Sequence, residues 1–158
     1  MQLKAEGISK QFIRASNETN ILTVIEKTDF ILCEGKLTVL YGRSGSGKST
    51  FLNVMSGILA PTTGKVLVDD DDIYEMDDIK LSRFRNSFFG FVPQGQSAIR
   101  SLTLIENVML PYMLYGEEPE SGEYVDYLLE QMGVAKLRNV MPNELSGGEM
   151  RRMAIARA

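Results

Sequence analysis

The stretch GRSGSGKST, residues 42–50, constrains this chain more than any other. It fits G-x-x-x-x-G-K-[ST], with Gly42, Gly47, Lys48 and Ser49 at the required places. Phosphate oxygens must approach backbone N–H groups closely, so at key positions a side chain beyond hydrogen is excluded. The loop formed by Gly42, Arg43, Ser44, Gly45, Ser46, Gly47, Lys48, Ser49 and Thr50 is therefore read as the cradle of a nucleotide's phosphates. The helix expected to start near Lys48 points its unpaired N–H groups and positive dipole end at the same anion. Lys48 is expected to neutralise the outer phosphates, and Ser49 to offer its hydroxyl to Mg2+.

The flanking sequence supplies the context the loop requires. KLTVLYG before it is a compact β-branched run, read as a strand, and in KSTFLNVMSGIL after it apolar residues recur at helical spacing. Upstream, MQLKAEGISKQF and ILTVIEKTDFILCEG read as strands joined by the polar RASNETN. Downstream, APTTG is a turn into a strand, KVLVDDDDI. Its acidic run, Asp69 to Asp72, reads as a solvated hairpin end, since successive strand side chains point to opposite faces and do not converge on one ion. MDDIKLSRFRN reads as a helix and SFFGFVPQ as a buried strand stopped by Pro93. From about Thr103 the pattern turns helical: TLIENVMLPYMLYG, then SGEYVDYLLEQMG with Gly133 as its stop, then a last helix in ELSGGEMRRMAIARA. Ser146 and Glu149 form S-x-x-E, a capping box, but capping does not account for Gly147 and Gly148 beside them.

Composition narrows the chemistry. The 17 basic residues against 21 acidic ones leave no excess for phosphate-backbone contacts, so nucleic acid is not an expected partner. The single cysteine, Cys33, excludes a disulfide framework, and the lack of any histidine excludes a histidine general base or a His/Cys zinc site. No apolar run approaches the roughly twenty residues of a membrane span.

LSGGE (Leu145, Ser146, Gly147, Gly148, Glu149), FVPQ ending in Gln94, and the loop at 42–50 occur in that order. Together they resemble the nucleotide-binding domain of ATP-binding cassette (ABC) transporters over the whole chain. The resemblance implies an α/β P-loop NTPase fold with an N-terminal antiparallel β layer and a helical subdomain. It divides residues 1–158 into a β-rich start (1–41), a P-loop core to the Q-loop (42–94), a helical subdomain (95–145) and a signature helix (145–158). It implies ATP and Mg2+ as ligands, Ser49 and Gln94 at the metal, and Lys48 and Gln94 as catalytic. It implies stacking of Phe12 on adenine, with core packing as the alternative for that residue. LSGGE would contact the γ-phosphate of ATP held by a second ATP-binding subunit, a homodimer being expected, and a transmembrane permease subunit would hold the protein at the cytoplasmic face of the membrane. SLTLIENVMLP and ELSGGEMRRMAIARA look most like the lipoprotein-release and macrolide or antimicrobial-peptide export branch.

In this family a Walker B strand with the general base follows the signature helix. No such strand is found here, so the expectation is a chain truncated before that strand, with the C-terminal part of the parallel sheet absent and little hydrolysis on its own. The alternatives are a non-transport ABC ATPase, disfavoured because 94–145 holds no sustained heptads, a small P-loop kinase, which would not need LSGGE, and a fragment that binds without hydrolysing.

Overall fold

The computed structural model describes residues 2–13, 21–95, 97–115 and 122–158; the expected RASNETN loop lies outside the described residues. The chain forms two compact units, Met1–Arg85 and Asn86–Ala158.

The first unit is built on a four-stranded antiparallel sheet in the order β2-β1-β3-β4, with β1 Gln2–Ile13, β2 Ile21–Cys33, β3 Thr63–Val68 and β4 Asp71–Asp72. β1 is the spine: it pairs with β2 from Gln2–Cys33 to Ile13–Ile21, and with β3 from Leu3–Val68 to Ser9–Thr63. The P-loop helix, α1 (Lys48–Met55), buries Val54 and Met55 against Ala5, Ile8, Ile25, Val66 and Ile73. Its C-terminal carbonyls are tied down by polar side chains. Tyr74 Oη bonds the Val54 and Leu59 carbonyl oxygens at 2.7 Å each, and Arg85, on α2 (Asp78–Phe88), donates to Gly57 O at 2.8 Å. Burial raises the Tyr74 hydroxyl's pKa above the ordinary tyrosine value. In the acidic run, Asp69 and Asp70 make the turn and Asp69 takes the left-handed conformation (φ 53°), its carboxylate accepting from Gln2 N.

Two expected strands do not form. Residues 36–43 and 89–93 join no ladder among the described residues. Leu37 is 92 % exposed and Tyr41 90 %, and Phe91 and Val92 are exposed as well. The physical reason is that a parallel strand exists only through its neighbours. β1 to β4 satisfy one another, and no other described segment offers 36–43 a partner. The sheet among the described residues is accordingly antiparallel throughout.

The second unit is helical: α3 Leu104–Tyr115, with Pro111 inside it, α4 Gly122–Gln131 and α5 Gly147–Arg157. Its core joins Leu104 and Val108 of α3, Val125 and Leu129 of α4, and Met153 and Ala156 of α5. Gly133 closes α4 in the left-handed conformation (φ 65°), with its amide on Glu130 O and that of Val134 on Leu129 O. No helix among the described residues is long and apolar enough to cross a membrane.

Candidate functional site: the glycine-rich loop and the capped helix

Between β2 and α1 the chain makes a tight loop, with Ser46 N donating to Arg43 O at 3.2 Å. Gly47 is the N-cap of α1 in the left-handed conformation (φ 84°), and a Cβ there would lie 2.6 Å from the Val24 carbonyl oxygen on β2. Conformation and space both demand glycine at that position. No side chain caps α1, and its first turn holds no acidic residue. The first intrahelical amide bond is Phe51 N to Gly47 O at 2.8 Å, so the amides ahead of it face outward without a helical partner. This is the arrangement in which a helix start attracts an anion.

Lys48 completes it. Its Nζ donates to Gly42 O at 2.9 Å, Arg43 O at 2.7 Å and Ser46 Oγ at 3.4 Å, which fixes the ammonium over the loop. Ser49 is exposed, and its hydroxyl is available to a ligand. A cleft of about 530 Å³ runs between Val24 and Phe30 of β2 and Gly47, Lys48 and Phe51 of the loop and helix, with Phe30 and Phe51 in edge-to-face contact at 5.2 Å. A volume of this size lies within the range of small-molecule sites.

Phe12 pairs with Leu22 on β1 and is 39 % exposed, with the Lys10 ammonium 5.3 Å from its ring centroid. The side chain is thus partly exposed and lies outside the buried core cluster.

The remaining sequence-derived residues belong to the second unit. Gln94 follows Pro93 and is exposed. Leu145 is buried and anchors the start of α5, while Ser146, Gly147 and Gly148 are exposed. The expected capping box is formed: Glu149 N donates to Ser146 Oγ at 3.3 Å, and Ser146 N and Oγ both donate to Glu149 Oε2 at 2.7 Å. The Ser146 hydroxyl, and then its amide, hold the Glu149 carboxyl below the ordinary glutamate pKa. Neither Gly147 nor Gly148 has a positive φ. A Cβ on Gly147 would meet nothing within 4 Å, and one on Gly148 only the Arg152 guanidinium at 3.5 Å. The packing of the described residues therefore does not require these two glycines.

Sequence reasoning missed a second capping box. Thr103 N and Oγ1 donate to Glu106 Oε2 at 2.7 and 2.8 Å at the start of α3, and T-x-x-E in TLIE is the signal that could have found it. It also missed Asn107, fully buried, whose Nδ2 donates to the carbonyls of Ile99, Leu102 and Thr103 and whose Oδ1 accepts from Ile99 N.

A glycine-capped, uncapped-amide helix start with a lysine over its mouth defines a phosphate-binding P-loop protein. Residues 25–158 match the family model described as ABC transporter, and the chain belongs to that family. It is 37% identical over 153 residues to the lipoprotein-releasing system ATP-binding protein LolD of Treponema denticola, covering 96% of this chain and 66% of that protein. It is 39% identical over 157 residues to LolD of Bdellovibrio bacteriovorus, covering 99% and 70%. Among solved structures it resembles the dimeric, post-hydrolysis state of the ATP-binding cassette MJ0796 bound to ADP and Pi, with a TM-score of 0.88 and 32% identity over 98% of this chain and 68% of that one. The chain thus spans about two thirds of the length of these relatives.

Proposed function

We propose that these residues form the ATP-binding and signature parts of an ABC transporter's ATPase subunit. In the intact protein, that subunit hydrolyses ATP to drive a membrane permease. The observation that carries this reading is the loop at 42–50: free helix-start amides, a glycine that admits no side chain at position 47, and Lys48 Nζ held over the mouth. In it the loop amides and Lys48 hold the β and γ phosphates, and Phe12 offers its exposed ring to the base. Ser49 is proposed as a magnesium ligand, its exposed hydroxyl fitting that role; the ion would offset charge developing on the phosphates. Gln94 is proposed on the resemblance alone as the residue that completes the metal shell and senses the permease.

The signature motif is proposed to act on a second subunit, most simply another copy. Gly147 and Gly148 leave the capped start of α5 bare where nothing among the described residues needs it bare. Such a surface suits the γ-phosphate of ATP bound to the partner, in a two-fold, self-complementary dimer. The LolD relatives, named for a lipoprotein-releasing system, favour lipoprotein cargo handled by the permease, and the resemblance favours a place for this subunit at the cytoplasmic face of the membrane. Turnover of MgATP by the intact protein, lost in Lys48→Ala, tests the reading. Equal turnover in the variant would refute it.

A further inference from the structure

The C-terminal end of α5 holds both flanks of Gln94. After it in sequence, the Arg157 guanidinium donates through Nη1 to Ser97 O at 2.8 Å and through Nη2 to Ser97 Oγ at 2.7 Å. Before it, Gly90 packs so closely on the Ala158 backbone that a Cβ would lie 2.7 Å from the Ala158 carbonyl oxygen. Gly90 does not have a positive φ, so it is this proximity that calls for glycine there. Arg157 is half-buried, and among the described residues its guanidinium donates to Ser97 and forms no ion pair with a carboxylate. Burial alone lowers its pKa from the ordinary arginine value. A guanidinium desolvated for a two-pronged grip on a backbone carbonyl and its own residue's hydroxyl specifies geometry, which a single-point lysine would not.

We propose that Arg157 is a positioning residue for Gln94: its fork on Ser97, opposed by the Gly90–Ala158 contact, makes the Gln94 segment one rigid body with α5. The Ser146 cap stands at the other end of that helix, about 16 Å away for eleven residues at the helical rise. A displacement of Gln94 is then delivered to the signature glycines. This rests on the proposed roles of Gln94 and LSGGE, and it names the side chain that links them.

Backbone NMR order parameters of the intact protein without nucleotide test the clamp. In Arg157→Met, which keeps the apolar stem, those of Gln94, Gly95 and Ala98 are expected to fall from about 0.85, the value of rigid backbone, toward about 0.6. That of Ile99, whose amide is held by Asn107, keeps its value. Arg157→Lys restores part of the order. Should Arg157→Met fail to fold, Ser97→Ala, which removes only the hydroxyl acceptor, is expected to give a smaller fall at the same residues. Wild-type order parameters at Gln94, Gly95 and Ala98 in the folded variant overturn the proposal. In turnover, Gln94→Ala and Arg157→Met are expected to be non-additive, with ATP affinity unchanged in Arg157→Met, whereas additive losses would mean that Arg157 acts only on stability and overturn the positioning role. A wild-type protein that binds no nucleotide would refute the ATP-binding reading instead, and the order parameters judge the clamp regardless.

Discussion

Two glycines at two helix starts should respond in opposite ways to the same substitution. Gly47 is left-handed (φ 84°), and an added Cβ would sit 2.6 Å from Val24 O. Left-handed backbone costs a residue with a side chain about 1–2 kcal/mol, and displacing a β-strand carbonyl adds to it, so Gly47→Ala should destabilise the first unit by about 2–3 kcal/mol. At Gly147 the backbone does not take a positive φ, and a Cβ would meet nothing within 4 Å. Replacing glycine by alanine inside a helix gains up to about 1 kcal/mol, less in the first turn, so Gly147→Ala should be neutral or stabilising by about 0.5 kcal/mol. Yet the methyl group would stand where a partner's phosphate is proposed to come. Thermal unfolding of the intact protein measures the first effect, and binding of a fluorescent ATP analogue followed by nucleotide-dependent association measures the second. Gly147→Ala, and more so Gly147→Val, should bind the analogue normally and associate poorly. If Gly147→Ala unfolds the protein, the glycine serves its own fold. If Gly147→Val associates and turns over ATP like the parent, the cross-subunit approach is wrong.

Three further outcomes follow from the same geometry. Asn107→Ala leaves the Ile99 amide and the Leu102 carbonyl without their partner in a buried site, while the Ile99 and Thr103 carbonyls keep backbone donors, so it should destabilise the helical unit by about 2 kcal/mol, read from denaturant unfolding. A loss under about 0.5 kcal/mol would show that water replaces the amide. Glu149 and Glu106 both have folded pKa values below the ordinary glutamate value, held there by Ser146 and Thr103. Their stabilisation is therefore complete above the ordinary value and lost as pH falls through the depressed folded values, and Glu149→Gln with Glu106→Gln should flatten the acid limb of a stability-versus-pH curve. An unchanged acid limb would place the titration elsewhere. Finally, Leu37, Val39 and Tyr41 are exposed, so residues 1–158 expressed alone should aggregate, and Leu37→Lys with Val39→Lys should lessen the aggregation seen by light scattering. Monodisperse parent protein would contradict this.

Much of the fold was legible because its signals are local. β1 and β2 show in strand-length apolar patterning, α1 in the spacing of Phe51, Leu52, Val54 and Met55, and the end of α4 in Gly133. The loop glycines and the Ser146–Glu149 cap were legible for the same reason, since each is a short pattern with one stereochemical use. Residues 36–43 and 89–93 carry equally strong β patterns and form no ladder. Apolar alternation records a readiness to pair, while pairing itself depends on a neighbour elsewhere in the chain. Four consecutive aspartates do not say which of them turns; Asp69 takes the left-handed conformation because the β3–β4 register places the turn there. Arg157 gave no signal at all: its partner lies 60 residues away, and only the packing of α5 brings the two together.

The central claim is that the loop at 42–50 and the glycines at 147 and 148 serve one nucleotide from two chains. Its most direct test is the mass of the intact protein, with hydrolysis arrested, measured by light scattering with and without MgATP. The account predicts a single copy without nucleotide and a particle of two copies holding two nucleotides with it, abolished by Gly147→Val. A single copy that holds ATP and never associates would contradict it.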